Sequence, residues 1–209
     1  MEKEFSRLRD DIIDHEHDDI VPACTAALDL GHSPEEVVDQ LVEGMRLIYA
    51  RYEEDAYFLP DFVMSVEVFS EAMDFLYPKL SKEAKSSEPI IVGTVKGSVH
   101  DIGKNLFRDL LRGLGYSVYD LGVNVEPKEF VEEIMGRDAK VLCLSVYMSK
   151  SKKGIEKILR ELERRGIRAE IKVLIGGYSV DKRYAKRIGA DAYADDVFEG
   201  VEIVRGWID

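Results

Sequence analysis

The sequence predicts an α/β protein in which an N-terminal helical bundle precedes a doubly wound, five-stranded parallel sheet. Three observations lead to this prediction. Apolar residues recur at helical spacing through residues 1–80, a polar stretch follows at 78–89, and after Pro89 short β-rich runs alternate with amphipathic helices. Because strands that alternate with helices form parallel sheets, the second half is expected to have that topology.

Four helices are predicted in the first half. They span residues 1–15, 20–30, 34–52 and 60–80. In the third of them, Val38, Leu41 and Met45 lie on one apolar face. Its start is marked by Ser33 and Glu36, which have the spacing of a capping box. Four short helices with short connections are typical of a small bundle.

The polar stretch at residues 78–89 reads PKLSKEAKSSEP. It is bounded by prolines and has no apolar periodicity, as is typical of a linker between domains. We therefore predict two domains, a helical bundle over residues 1–85 and a sheet domain over residues 86–209.

Five strands are predicted in the second half. They read IIVGTV (90–95), YSVYDL (116–121), KVLCLSVYM (140–148), KVLIGG (172–177) and DAYA (191–194). The helices between them are expected at 102–114, 127–136, 151–165 and 181–187, with a further helix closing the chain. The continuous apolar run 141–146 suits a strand that is buried on both faces. This alternation predicts a Rossmann-like or flavodoxin-like fold, in which ligands bind beyond the carboxyl ends of the strands.

Charge and composition narrow the class of partner. The net charge of −12 and the pI near 4.9 argue against nucleic acid and anionic membranes, which bind clustered basic residues. No apolar run approaches the roughly 20 residues of a membrane span, and the first residues lack the apolar core of a signal peptide. Cys24 and Cys143 lie far apart in apolar stretches, which indicates buried, reduced thiols. A cytoplasmic protein is expected.

The turn after the first predicted strand is rich in glycine and contains one histidine. Residues 93–105 read GTVKGSVHDIGKN, with His100 between a strand and a helix. The spacing of a phosphate-binding P-loop fails because Gly103 and Lys104 are followed by Asn105, and no G-x-G-x-x-G occurs. A general base, a metal ligand and an ordinary loop histidine remain open for His100.

Four segments together resemble a known family. They are GTVKGSVHDIGKN, SVYMSKS (145–151), IGGYSV (175–180) and, in the first half, LVEGMRLIYARYEEDAYFLPDFVMSVEVFSEAM (41–73). They are similar to the cobalamin-binding domain, with its helical cap, of methionine synthase and of the corrinoid proteins of methyltransferase systems. The family's pattern is D-x-H-x-x-G, then S-x-L, then G-G. The resemblance covers roughly residues 18–205.

The resemblance implies roles for individual residues. His100 would be the lower axial ligand of cobalt, in place of the cofactor's own dimethylbenzimidazole. Gly103 would let the nucleotide tail pass, Ser145 would hydrogen-bond the displaced base, and Gly176 and Gly177 would make room for it.

Further residues of the same segments are expected at the cofactor. They are Gly97, Ser98, Val99, Asp101, Ile102, Tyr147, Ser149 and Ser151. Ser151 lies where the family often has a hydroxyl that supports the ligand histidine. In the cap, Tyr57 and Phe58, with Leu59, are expected near the upper face of the corrinoid.

Two positions depart from the family's pattern. Ser98 stands in place of the aspartate of D-x-H, and Tyr147 in place of the leucine of S-x-L. A carboxylate that accepts the second N–H of a metal-bound imidazole makes the ring a stronger ligand. The Ser98 hydroxyl can accept the same bond only without charge, and neutral hydrogen bonds are about half as strong. We therefore expect His100 to bind cobalt weakly, with a labile lower bond or a cobalt that is easier to reduce.

The function implied by the resemblance is a methyl carrier. Cobalamin or a related corrinoid, alternating between methylcobalamin and cob(I)alamin, would pass a methyl group from a substrate-specific methyltransferase to a second methyltransferase. The acceptor would be tetrahydrofolate or coenzyme M, and a reductive activase is a further candidate partner.

Other functions stay open at this point. A non-catalytic cobalamin-binding sensor or storage protein would share the domain, although the acidic chain has no DNA-binding segment. The small subunit of an adenosylcobalamin mutase fits less well, because the N-terminal half resembles the cap of methyl carriers. Without any corrinoid, a flavodoxin-like interaction domain would remain.

Overall fold

The second half of the chain forms an open sheet of parallel strands. The computed structural model describes Leu8, residues 17–80 and residues 88–208. Within this part the strands are β1 (Ile90–Thr94), β2 (Val118–Asp120), β3 (Val141–Ser145), β4 (Lys172–Gly176) and β5 (Ala192–Ala194). Their order in the sheet is β2-β1-β3-β4-β5, and every neighbouring pair is parallel. The predicted five-stranded parallel sheet is confirmed.

Helices precede the sheet and alternate with its strands. They are α1 (His17–Asp29), α2 (Pro34–Glu53), α3 (Leu59–Leu76), α4 (Ile102–Gly113), α5 (Pro127–Arg137), α6 (Lys152–Arg164), α7 (Lys182–Ile188) and α8 (Val197–Ile208). Short 3₁₀ turns occur at Tyr77–Lys79, Ser149–Ser151 and Arg168–Glu170. The predicted helix 1–15 lies outside the described residues except for Leu8, which is helical and buried.

Helices cover both faces of the sheet. Leu142 and Leu144 of β3 pack into one hydrophobic core with the apolar sides of α5, α6 and α7. Side chains alternate along a strand, so the intervening residues face the other side. There, Gly200 of α8 lies against Phe107 of α4 and Ala194 of β5. The sheet is therefore doubly wound, as predicted.

Each strand is shorter than the segment that predicted it, and the difference is largest for β3. β3 ends at Ser145, although the run continues to residue 148. The Val95 N–H donates to the Ser145 carbonyl (3.1 Å) and the Val146 N–H donates to the Gly176 carbonyl (3.0 Å). These are the last rungs of the ladder, because β1 and β4 both end at this level and leave later residues no strand to pair with.

The three helices of the first half pack together, with α3 against both α1 and α2. Their buried apolar residues include Ile20, Val37, Leu41, Met45, Ile48, Val66, Phe69, Met73 and Leu76. The predicted capping box at the start of α2 is present. The Glu36 N–H donates to Ser33 Oγ (3.2 Å), and the Ser33 N–H donates to the Glu36 carboxylate (2.8 Å).

The chain divides into two compact units. Of the described residues, those up to Leu80 and the four from Arg112 to Gly115 form one unit, and the remainder form the other. The predicted boundary between residues 85 and 86 lies within 81–87, outside the described residues, and stays a prediction. Among the helices of the described part, none combines the length and the apolar character that crossing a bilayer requires.

Candidate functional site

A row of small residues crosses the carboxyl edge of the sheet. Thr94 pairs with Ser145, Ser145 with Gly176, and Gly176 with Ala194. All four therefore stand at one level on the sheet face that α4 and α8 cover. Ser145 and Gly176 were predicted at the site. Thr94 and Ala194 were missed, because only the strand register places them in the same row. The row leaves space where larger side chains would otherwise fill the edge.

Buried hydroxyl groups near this edge have no hydrogen-bond partner. Among the described residues, this is true of the side-chain oxygens of Thr94, Ser98, Ser151 and Ser179. Ser98 and Thr94 are almost completely buried, and Ser151 is 3% exposed. Buried polar groups are normally paired, so a cluster of unpaired ones needs an explanation such as a bound molecule. A ligand with several polar groups would satisfy them.

The loop that carries His100 is held by the turn after β2. The Gly97 N–H donates to Asn124 Oδ1 (2.8 Å), and the Asn124 N–H donates to the Ser98 carbonyl (3.0 Å). Lys96 and Glu126 add an ion pair between the two segments. Asn124 has a φ of 57°, in the left-handed region that asparagine tolerates better than most residues. Asn124 therefore fixes the backbone just before the histidine.

Replacement of Asn124 tests this support. We expect Asn124→Ala to lower the free energy of unfolding by about 2 kcal/mol. The variant loses a hydrogen bond, and it places alanine in a left-handed conformation that alanine adopts less readily than asparagine does. Asn124→Gly loses only the hydrogen bond, so about 1 kcal/mol is expected. Urea unfolding followed through the fluorescence of Trp207, the single tryptophan, measures both. Hydrogen exchange at the Gly97 amide should quicken in both variants, and unchanged exchange would contradict the role of the side chain.

His100 is exposed and oriented by aromatic contact. Its ring stacks on Tyr147, with ring centroids 4.2 Å apart and planes inclined by 19°. Tyr147 stacks in turn on Tyr178 at 5.3 Å and 27°. None of the hydrogen bonds among the described residues involves the imidazole. The three rings bring together the turns after β1, β3 and β4. Tyr178 was not predicted, and only its position directly after the predicted Gly177 hinted at it.

The helix that follows the histidine is tied to β2 by buried charges. Lys104 of α4 donates to the Asp120 carboxylate and to Asn105 Oδ1 (2.7 Å). Arg108 reaches Asp120 at 3.2 Å and also pairs with Asp109 at 2.6 Å. The side chains of Lys104 and Asp109 are 2% and 0% exposed. Charges buried to this degree need their partners, so the network fixes the start of α4 relative to the sheet.

The same network lowers the pKa of Asp120. Burial alone favours the neutral carboxyl. The hydrogen bonds from Lys104 and the Gly122 N–H, with the charges of Lys104 and Arg108, outweigh it and hold the pKa of Asp120 below its ordinary value. The carboxylate is therefore the form that the fold stabilises.

Apolar side chains surround the histidine at the surface. Val99 is 67% exposed, and Ile102 and Val123 are each 38% exposed. Val99 and Ile102 flank His100 in the chain, and Val123 precedes the residue that holds the loop. Exposed apolar patches commonly mark ligand or protein contacts. The surface near the imidazole therefore suits a ligand that has apolar surface of its own.

The structure brings most of the other predicted residues of the sheet unit to this edge. Asp101 accepts a hydrogen bond from the Asn105 side chain (3.2 Å). A Cβ atom at Gly103 would meet nothing nearer than Val197, at 4.0 Å. Ser149 is exposed at the start of a 3₁₀ turn. Gly177 is exposed, but a Cβ atom there would lie 2.3 Å from the Val146 carbonyl oxygen, so the turn has no room for a side chain in that direction.

Two predicted residues belong to the bundle unit. The Tyr57 hydroxyl accepts a hydrogen bond from Arg51 (3.0 Å), and Phe58, just before α3, is 75% exposed. Leu59 beside it is 55% exposed. Their contact with the upper face of a corrinoid stays a prediction.

The potential metal ligands at the carboxyl edge of the sheet suit a metal that an organic cofactor already holds. Among the described residues, no group of three or more His, Cys, Asp and Glu could hold a bare ion. One exposed imidazole can supply a single axial bond. The row of small residues and the unpaired hydroxyls can take a polar tail, and the apolar surround can take a macrocycle. These residues fit a corrinoid.

Comparison with known proteins points the same way. Two family models, each described as a B12 binding domain, match residues 88–202 and 4–77. Dimethylamine corrinoid protein 2 of Methanosarcina acetivorans is 30% identical over 202 residues, covering 96% of this chain and 94% of that protein.

Solved structures are similar over the whole length. The monomethylamine corrinoid protein of Methanosarcina barkeri aligns with a TM-score of 0.67 and 29% identity over 99% of both chains. One chain in the structure of a methanol:cobalamin methyltransferase complex from the same organism aligns with a TM-score of 0.73 and 25% identity, covering 98% of this chain and 79% of that one.

Fold and site together define a cobalamin-binding protein, in which a helical bundle accompanies a doubly wound sheet. The chain belongs to the B12-binding family of corrinoid proteins found in methyltransferase systems. The resemblance seen in the sequence is thereby confirmed, as is the cofactor class. The roles of the individual site residues stay predictions.

Proposed function

We propose that this chain is the corrinoid subunit that carries a methyl group between two methyltransferases. One would take the group from a small methylated compound, and the other would deliver it to tetrahydrofolate or coenzyme M. The observation that carries this proposal is the arrangement at the carboxyl edge, where one exposed imidazole lies beside a row of small residues and unpaired buried hydroxyls. The names of the relatives, which include methylamine and methanol systems, agree with it.

When bound, the corrinoid supplies a cobalt that accepts and releases the methyl group. The protein's own residues bind and orient it. The His100 imidazole is the proposed lower ligand, and its loop is held by Asn124. Ser98 and Ser151 are the proposed acceptors of its second N–H, because both hydroxyls are buried without a partner and Ser151 Oγ would lie 3.0 Å from a Cβ atom at Gly97, three residues before the histidine. That bond would fix the proton on the nitrogen that does not face the metal.

The row of small residues is the proposed position of the displaced nucleotide tail. Ser145 and Thr94 present hydroxyls at one level, and Gly176 between Ser145 and Ala194 leaves the adjoining space open. The unpaired Thr94 hydroxyl adds a hydrogen bond that the family's pattern did not include. Val99 and Ile102 would lie under the macrocycle and exclude water from the metal's lower side.

The test is reconstitution of the full chain with hydroxocobalamin. Wild type, His100→Ala and the control His32→Ala, which removes a histidine of the bundle, are desalted and their spectra recorded. We expect all three to retain cofactor. Only wild type and His32→Ala should show cobalt bound to a protein nitrogen, seen as Co(II) EPR splitting that changes when the histidines are labelled with ¹⁵N.

Each outcome has a consequence for the proposal. No retained cofactor would overturn the corrinoid site. Retention without any effect of His100→Ala would remove the axial role and favour a cobalamin storage or sensor protein. Carrier function itself is tested by adding two methyltransferases, one that demethylates a ¹³C-methylated amine or methanol and one that methylates tetrahydrofolate or coenzyme M. Label that fails to reach an acceptor when the corrinoid protein is present would contradict it.

A further inference from the structure

We infer that Tyr147 is a positioning residue for the His100 imidazole. Its ring sets the plane in which the imidazole meets the cobalt. A hydrogen bond to a carboxylate or a carbonyl usually performs this task in metal sites. The inference rests on the proposed role of His100 as the axial ligand.

The first argument is what touches the imidazole. Its ring is nearly parallel to that of Tyr147, with centroids 4.2 Å apart. Stacked aromatic pairs at this distance restrict rotation and add attraction beyond simple burial. No hydrogen bond among the described residues holds the ring, and the nearby Ser98 hydroxyl is buried without a partner. In this structure the stack is therefore what orients the histidine side chain.

The second argument is exposure. Tyr147 is 44% exposed and Tyr178 is 84% exposed. Neither ring fills the hydrophobic core, so packing of the fold does not account for the two tyrosines. Tyr178 follows Gly177 in the turn after β4, and it stacks on Tyr147 with ring centroids 5.3 Å apart. The turns after β3 and β4 thus meet at the exposed Tyr147 ring, which contacts His100.

The third argument links Tyr147 to Ser98. A neutral hydroxyl holds an imidazole N–H about half as strongly as a carboxylate does. A ring held by a hydroxyl alone would turn more freely, and the stack offsets this weakness. Tyr147 then compensates for Ser98, so the two departures from the family's pattern are functionally linked. The consequence is that Tyr147 matters with serine at position 98 and matters much less when Ser98→Asp restores a charged acceptor.

A double-mutant cycle measures this coupling. The proteins are wild type, Tyr147→Leu, Ser98→Asp and the double variant, with Tyr147→Phe as the control that keeps the ring. Two quantities are recorded. One is the NMR shift of the His100 ring protons in the cofactor-free protein, which a stacked tyrosine moves upfield. The other is the ratio of histidine-ligated to unligated cobalt in the hydroxocobalamin-reconstituted, reduced protein, taken from EPR with ¹⁵N-histidine.

We expect Tyr147→Leu to abolish the upfield shift and to lower the ligated ratio about threefold to tenfold, the range that one stacked aromatic pair supports. Tyr147→Phe should preserve both quantities. In the Ser98→Asp background, the same leucine substitution should change the ratio less than about twofold, because the charge-assisted bond now orients the ring.

The outcomes separate this inference from the proposed function. If wild type shows histidine ligation and Tyr147→Leu leaves the ratio unchanged, or lowers it equally in both backgrounds, the positioning role is wrong and the carrier proposal stands. If wild type retains cofactor but shows no histidine nitrogen on cobalt, the axial role and the positioning role fail together. An unshifted His100 resonance in the cofactor-free wild type would remove the stack itself.

Discussion

Gly177→Ala is expected to destabilise the sheet unit by about 3 kcal/mol or more, through strain and overpacking together. The φ of Gly177 is 113°, a conformation that residues with a Cβ atom rarely adopt. A Cβ atom there would lie 2.3 Å from the Val146 carbonyl oxygen. The obstacle is backbone rather than a flexible side chain, so the turns after β3 and β4 would have to separate. Urea unfolding followed by Trp207 fluorescence measures the loss.

The neighbouring glycine supplies the control. At Gly176 a Cβ atom would be 3.6 Å from the Ala194 carbonyl oxygen, an ordinary contact, and its φ is not in the left-handed region. Gly176→Ala should therefore change the free energy of unfolding by less than about 1 kcal/mol. Since Gly176 belongs to the row proposed for the nucleotide tail, the same variant should retain less hydroxocobalamin after desalting. Equal stability losses at the two glycines would contradict the geometric argument.

The two glycines also show what sequence reasoning could and could not provide. The pair was predicted to make room for the displaced base, and a glycine pair at a strand end supports that prediction. Which of the two the fold itself requires was not predictable. The fold requires Gly177 because it lies close to the backbone of Val146, just after β3. The register between β3 and β4 sets this distance, and the sequence does not reveal it.

Features that depend on neighbouring residues were predictable from the sequence, whereas contacts between distant segments were not. The capping box at Ser33 and the alternation of strands and helices depend on residues close in the chain, and both are confirmed. Thr94, Asn124 and Tyr178 were missed. Each acquires its position only when turns after different strands meet at the carboxyl edge. The resemblance carried over the family's motif positions, so it could not point to residues outside those motifs.

The stack of His100 on Tyr147 changes how the departures from the family's pattern are understood. From the sequence, Ser98 indicated a weaker ligand with a labile lower bond or a cobalt that is easier to reduce, and Tyr147 was expected at the cofactor without any link to His100. In the structure, the tyrosine contacts the residue whose usual support Ser98 does not supply. The two departures look unrelated in the sequence, but in the structure both concern the support of the His100 side chain.

Asp120→Asn is expected to lower the free energy of unfolding by about 3 kcal/mol at neutral pH, the lower end of the cost of breaking a buried ion pair. The substitution leaves Lys104, whose side chain is 2% exposed, with a neutral acceptor. Arg108 loses a charged partner as well. The cost stays near the lower end because an amide oxygen can still accept from Lys104. The effect should reach the start of α4 and therefore the loop of His100.

This prediction also has a pH dependence. The folded protein holds the pKa of Asp120 below its ordinary value, so the folded state binds this proton less readily than the unfolded chain does. The stabilisation is complete above the unfolded pKa of about 4 and is lost as the pH falls through the folded pKa. The stability difference between wild type and Asp120→Asn should therefore be constant from neutral pH to about pH 5 and shrink below about pH 4.

The matched control is Asp138, an aspartate that also pairs with a lysine but lies at the surface. Asp138 is 88% exposed and pairs with Lys140 at 2.8 Å. It has a φ of 54°, which asparagine also adopts readily, so Asp138→Asn adds no backbone strain. Exposed pairs contribute little, and less than about 0.5 kcal/mol is expected at any pH. If Asp120→Asn behaves like Asp138→Asn, the buried charges do not fix α4. A large loss that persists unchanged at low pH would mean that packing, rather than the carboxylate charge, makes Asp120 important.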